Sequence, residues 1–166
     1  MNDLKDLSFL IYGLGLTGKS VVNFFNKYQF KNYKVWDDKN KSFYNYKRPI
    51  NLNKALKETN YIILSPGVSL NQSKNKKQLI RFRNKIITDI DLFYLFHKDF
   101  KSIFVTGTNG KSTTCKIINH ILKKNKIKTL LGGNIGTPIL SLSPKKNTYL
   151  IIEASSFQLA YSKFIK

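Results

Sequence analysis

The sequence has little cysteine, little acid and no long apolar run. Its one cysteine, Cys115, excludes an internal disulfide and fits a reducing compartment. Cys115 falls in a helix-patterned stretch after a glycine loop and reads as a small buried hydrophobe. No apolar run approaches the roughly 20 residues that a membrane-spanning helix needs. The N-terminal "MNDLKDLSFLIYGLG" lacks a basic segment followed by a long apolar one, so no secretory leader is expected. The expected location is the cytoplasm, without membrane insertion. Low-complexity stretches and short-period repeats are missing too. The two histidines, His97 and His120, have no visible partners for a metal site or a triad.

Only nine residues are acidic against 29 Lys plus Arg, a net charge of +20. Such a balance would draw nucleic acid, anionic membrane or phosphorylated ligands to the chain. The lysines are scattered through nearly every segment, among many Asn, Ile, Phe and Tyr. That mixture is what AT-rich codons produce, so compositional drift explains the charge better than a dedicated basic surface. No nucleic-acid partner is expected.

What is present is a folded α/β chain. At 42% apolar and 13% aromatic it can bury a core. Short apolar strands ("LSFLIYG", "YKVWDD", "NYIILSPG") alternate with helical patterns such as "GKSVVNFFNKY", which implies a parallel sheet. After "DIDLFYLFHKDF" the pattern restarts with "KSIFVTG", "GKSTTCKIINHILKKN", "KTLLGG" and "NTYLIIEASS". Two domains follow, 1–96 and 97–166, with the stretch from Asp89 to Phe100 as a connecting helix. The first reads as Rossmann-like, the second as the beginning of a P-loop ATPase-like α/β domain.

Each domain opens on a glycine loop. "GLGLTG" spaces Gly13, Gly15 and Gly18 as G-x-G-x-x-G between a strand and a helix. The spacing serves a tight turn, close approach of a phosphate and close helix–strand packing. Asp37 ends the next strand, where such folds bind ribose hydroxyls. The plainer alternative is that the glycines only shape a turn. In "TGTNGKST", Gly107, Thr108, Asn109, Gly110, Lys111, Ser112 and Thr113 carry phosphate-loop chemistry. Loop N–H groups can wrap polyphosphate oxygens, Lys111 can reach the β- and γ-phosphates, and Ser112 can ligate Mg2+. The strict consensus fails at Val105, where its first glycine would stand. Glu153 ends "YLIIE", where an acid beside a phosphate loop can share the Mg2+; its alternative is a solvated strand-end acid. Asn134 lies in the turn "GGNIGTP", and Ser155, Ser156 and Gln158 follow Glu153. All fall at the carboxyl ends of strands, where ligands gather in open parallel sheets.

These motifs together resemble the Mur ligases, ATP-dependent enzymes that add amino acids to the UDP-linked peptidoglycan precursor. In that family the phosphate loop lacks its first glycine, so Val105 is in pattern. "GLGLTG", "SPG", "GGNIG" and above all "SSFQL" look like the branch that adds D-glutamate. The resemblance runs from about Ser8 to Leu159. It implies that Gly15, Leu16, Thr17, Asp37, Ser65, Pro66 and Gly67, with Ser155 and Gln158, bind UDP-N-acetylmuramoyl-L-alanine. It further implies that the loop residues 107–113 bind ATP, that Ser112 and Glu153 hold Mg2+, and that Lys111, Asn134 and Glu153 are catalytic. The implied reaction joins D-glutamate to the precursor by an amide bond through an acyl phosphate. Two positions depart from the pattern, Asp91 and Ala160, where Glu is usual. Family members have three domains and a further metal-binding His and modified Lys that this sequence does not contain. The expectation is therefore an amino-terminal portion, inactive alone, of an enzyme that is monomeric when complete. Two other classes compete. A nucleotide- or nucleic-acid-binding module would show steep salt dependence, and a nicotinamide dehydrogenase would leave the second loop unexplained.

Overall fold

A computed structural model describes residues 2–39, 46–68, 73–97 and 100–165. The chain divides into two units, Met1–Asp89 and Ile90–Lys166. Both are α/β with parallel sheets, as the sequence pattern implies.

In the first unit a short helix α1 (Asn2–Lys5) precedes strand β1 (Phe9–Tyr12), helix α2 (Leu16–Lys27) and strand β2 (Tyr33–Trp36). Helix α3 (Leu52–Glu58), strand β3 (Tyr61–Leu64), helix α4 (Lys76–Arg81) and the two-residue strand β4 (Ile86–Ile87) follow. The sheet order is β2-β1-β3-β4, all parallel, with Tyr12 level with both Trp36 and Leu64. All four β1 residues and three of the four in β3 are buried, as befits strands covered on both faces. From β1 the chain steps to β2 on one side, then returns past β1 to β3. That reversal makes the carboxyl ends of β1 and β3 the switch point, where open sheets leave a crevice.

Helix α2 buries Val21, Val22, Phe24 and Phe25, the apolar positions at helical spacing. Phe25 stacks on Phe30 at 4.6 Å between centroids and meets Phe9 of β1 at 5.0 Å. Asn51 caps α3 by accepting the Lys54 N–H at 3.0 Å. At the other end of that helix the Lys85 ammonium donates to the carbonyls of Leu56, Lys57 and Thr59 at 3.3, 2.6 and 2.7 Å.

The second unit takes in helix α5 (Asp89–Phe96) from its second residue on, strand β5 (Lys101–Val105), helix α6 (Lys111–Lys124), strand β6 (Thr129–Gly133), strand β7 (Tyr149–Glu153) and helix α7 (Ser156–Tyr161). The sheet order is β5-β7-β6, again parallel. The division between units falls at the start of α5, earlier than the 96/97 boundary that the sequence pattern predicts. The reason is side-chain contact. Tyr94 stacks on Phe104 at 6.0 Å and its hydroxyl bonds Ser102. Buried Asp91 accepts the N–H groups of Lys163 and Phe164 at 2.8 and 2.9 Å. No helix among the described residues is long and apolar enough to cross a membrane.

Candidate functional site

In the first unit the strand ends build a cavity of about 540 Å³. Gly13, Gly15, Leu16 and Thr17 form one wall, Asp37 and Asp38 with Lys39 the second, and Ser65, Gly67 and Val68 with Ser73 and Lys74 the rest. Six of the seven residues expected here from the glycine loop, Asp37 and "SPG" therefore line one space. Pro66 sits in the turn that the Val68 N–H closes onto the Ser65 carbonyl at 2.9 Å. Its neighbours, rather than Pro66 itself, face the cavity.

The loop is held from two sides. The Ser65 hydroxyl donates to the Gly13 carbonyl at 2.8 Å from a buried position. The Asp37 carboxylate accepts the Leu14 N–H at 2.6 Å and the Lys39 N–H at 2.8 Å. Asp37 thus shapes the loop directly, a task the sequence reading did not give it. Gly18 lets α2 approach: a Cβ there would stand 1.9 Å from the Gly13 carbonyl oxygen. Gly15, by contrast, faces open space, with nothing within 4 Å of a hypothetical Cβ. The N–H groups of the first turn of α2 lack an intrahelical acceptor, which suits this end of the helix to an anion. Leu16 is 75% exposed at the rim.

The sequence reading passed over Asp38. Its carboxylate accepts from the Tyr12 hydroxyl at 2.8 Å, Trp36 Nε1 at 3.0 Å, the Ser73 hydroxyl at 2.8 Å and Asn75 Nδ2 at 2.8 Å. Burial pushes the Asp38 carboxyl up, but these four hydrogen bonds outweigh it and hold the group below its ordinary value. The Tyr12 phenol moves the other way, pushed up to about 12 chiefly by burial.

In the second unit the strand register assembles the site. Val105, Glu153 and Gly133 lie side by side at the ends of β5, β7 and β6. Residues 106–110 leave β5 there and Asn134 leaves β6 there. Asn134 N–H donates to the Glu153 carbonyl at 2.9 Å, and Ala154 N–H to that of Val105 at 3.0 Å. The Asn134 side chain is exposed. Gly110, at the N-cap of α6, has φ +75°, a left-handed conformation that suits glycine. The loop through Thr108 and Asn109 is exposed, as is Thr113. Lys111 folds back so that Nζ donates to the Gly107 and Thr108 carbonyls at 2.6 and 3.1 Å. The ammonium thus sits over the loop whose N–H groups would wrap phosphate.

The Ser112 hydroxyl donates to Glu153 Oε2 at 2.6 Å, and Glu153 is only 6% exposed. No group of three or more His, Cys, Asp or Glu that could hold a metal occurs among the described residues. One carboxylate and one hydroxyl do not make an all-protein cage. They fit Mg2+, which keeps several waters and takes oxygens from bound phosphates. Ser155 and Gln158 lie just beyond Glu153 and form a capping box on α7. The Ser155 hydroxyl accepts the Gln158 N–H at 3.1 Å, and Gln158 Oε1 accepts the Ser155 N–H at 3.0 Å. Gln158 is fully buried. "SSFQL" therefore starts a helix, which its S-x-x-Q spacing could have announced.

Comparison with known proteins matches the same two stretches. The family described as Mur ligase MurD-like, N-terminal domain, matches residues 8–81, and Mur ligase middle domain matches residues 105–166. The UDP-N-acetylmuramoylalanine--D-glutamate ligase of Francisella tularensis subsp. tularensis (strain WY96-3418) is 39% identical over 160 residues. That alignment covers 95% of this chain and 36% of the relative. The enzyme of the same name from F. tularensis subsp. novicida (strain U112) gives the same identity and coverage. Among solved structures, a pseudomurein peptide ligase type C from Methanothermus fervidus aligns with 20% identity and a TM-score of 0.42, over 92% of this chain and 33% of its own. The chain thus spans little more than a third of the length of the curated relatives it matches.

Proposed function

Because the chain belongs to the Mur ligase family and carries its N-terminal and middle domains, we propose that it binds the two nucleotide substrates of a D-glutamate-adding ligase. The first unit takes the uridine diphosphate part of UDP-N-acetylmuramoyl-L-alanine in the cavity at the ends of β1–β3. The second takes ATP on the loop before α6. The observation that carries this reading is the alignment of Val105, Glu153 and Gly133, which brings a buried carboxylate within 2.6 Å of the Ser112 hydroxyl beside the loop.

In the proposed reaction the terminal alanine carboxylate attacks the γ-phosphorus of ATP, giving an acyl phosphate and ADP. The amine of D-glutamate then displaces phosphate, losing a proton as the amide forms. Phosphoryl transfer of this kind needs positioning and charge neutralisation rather than a covalent protein group. Lys111 supplies a positive charge that needs only to turn from its loop carbonyls onto the phosphate oxygens. Loop N–H groups orient the polyphosphate. Ser112 and Glu153 would hold Mg2+, which supplies further neutralisation when bound. Asn134, anchored to the Glu153 backbone, presents an exposed amide beside the transferring phosphate. We assign the two binding steps to these 166 residues and amide formation to a longer chain, since the relatives extend well past the matched part.

The test is paired binding to the 166-residue chain. Lys111→Ala should abolish Mg-ATP binding in calorimetry and leave the affinity for UDP-N-acetylmuramoyl-L-alanine unchanged. Loss of both together would contradict the assignment of one nucleotide to each unit. Amide formation by the 166 residues alone would overturn the division of labour.

A further inference from the structure

Asp38 lines the substrate cavity yet has nothing left to offer a ligand. A carboxylate has about four lone-pair sites, and Tyr12, Trp36, Ser73 and Asn75 each direct a donor at them. All four donors are neutral. They come from three places: the end of β1, the end of β2, and the segment before α4. That segment is held further by Asn75 Nδ2 donating to the Tyr12 hydroxyl at 2.9 Å and by the Asn75 N–H donating to Ser73 Oγ at 3.1 Å. Ser73 itself forms part of the cavity wall.

We infer that Asp38 is the positioning residue of this cavity: it fastens the Ser73–Asn75 wall to the ends of β1 and β2 and sets ligand affinity through that wall, without touching the ligand. The inference rests on the reading that the cavity receives a uridine diphosphate group. Trp36, the one tryptophan of the chain, donates its indole N–H to the same carboxylate, so it reports on the fastening.

The experiment is a double-mutant cycle on the 166-residue chain with UDP as the probe. Asp38→Asn and Asn75→Ala should each weaken UDP binding about tenfold, and the double variant little more than the weaker single, because both loosen one wall. Mg-ATP affinity should not change in any of them. Independent effects, approaching a hundredfold in the double variant, would mean that Asp38 meets the ligand itself and would overturn the inference. Unchanged UDP affinity in Asp38→Asn would overturn it equally. Where Asp38→Asn does not fold, Ser73→Ala deletes one donor and should weaken UDP about threefold; no change there also refutes it. The ligand-free Trp36 emission separates this inference from the reading of the cavity. If the wild-type chain binds no UDP, the functional reading fails. Shifts in emission that are coupled between Asp38→Asn and Asn75→Ala would still support the fastening, and independent shifts would refute it.

Discussion

Gly15 and Gly18 belong to one motif, and the structure gives them opposite tasks that substitution can separate. A Cβ at residue 18 would stand 1.9 Å from the Gly13 carbonyl oxygen, where ordinary contact begins near 3.4 Å. Helix α2 or the loop must then give way by about 1.5 Å. Neither can yield cheaply. The Gly13 carbonyl is fixed by the Ser65 hydroxyl at 2.8 Å, and α2 carries Val21, Val22 and Phe25 into the core. Alanine in a helix gains about 1 kcal/mol over glycine. Overpacking costs about 1–3 kcal/mol, and losing the Ser65 bond about 1 kcal/mol more. The net expectation for Gly18→Ala is destabilisation by about 2 kcal/mol. At residue 15, φ is −71° and a Cβ meets nothing, so Gly15→Ala should change stability by less than about 0.5 kcal/mol. Its methyl would instead occupy the approach to the α2 N-terminus and weaken UDP binding. Urea unfolding followed by Trp36 fluorescence reports on the first unit alone, since the chain has no other tryptophan. A Gly18→Ala chain as stable as the parent, or a Gly15→Ala chain that loses stability while binding UDP normally, would refute this separation of roles.

Three further outcomes follow from named contacts. Lys85→Met keeps the aliphatic stem but removes the ammonium from three carbonyls at the end of α3, and should cost about 1–2 kcal/mol in the same urea assay. Glu153→Gln keeps a partner for Ser112 but loses the charge; Mg-ATP affinity should fall at least about tenfold while metal-free ATP binding changes little, as calorimetry with and without Mg2+ can show. Tyr12 has a folded-state pKa raised from 10.0 to about 12, so its contribution to stability is complete below pH 10 and drains away as pH rises through 12. For this fully buried side chain the shift corresponds to about 2–3 kcal/mol, and Tyr12→Phe should flatten alkaline unfolding over that window.

Much of this arrangement was legible in the sequence, and what was not has a common cause. Strands of four or five apolar residues ending in glycine, followed by helical spacing, announce parallel α/β units and the strand ends where ligands sit. The same logic puts Ser112 and Glu153 near one Mg2+, while their direct hydrogen bond is a feature that only the strand register supplies. Asp38 was hidden because its sequence context is indistinguishable from that of Asp37. Two of its partners, Ser73 and Asn75, arrive from beyond another strand and helix. The first residue of α5 marks the unit boundary for a similar reason: Tyr94 meets Phe104, and Asp91 meets Lys163, only after folding. The α7 capping box differs, since its S-x-x-Q spacing is local. Reading "SSFQL" for ligand contacts left its helix-starting role unused.

Lysine dominates the charge of this chain, yet its carboxylates constrain the fold more. Exposed lysines are cheap to place and weakly coupled to anything, so +20 constrains the fold little. A buried carboxylate is costly unless donors meet it. Of nine acids, Asp37, Asp38, Asp91 and Glu153 each accept N–H or O–H groups from residues that the fold brings to them, whereas exposed Glu58 only pairs with Lys54 at 3.8 Å. Three of those four stand at strand ends that line the two candidate sites. Compositional drift toward lysine meets a physical barrier there, because an ammonium has no acceptor. At residue 38 it would leave four donors unpaired, each at a cost of about 1–3 kcal/mol where buried. Asp37, Asp38 and Glu153 thus mark strand-end positions where the surrounding donors require an acceptor.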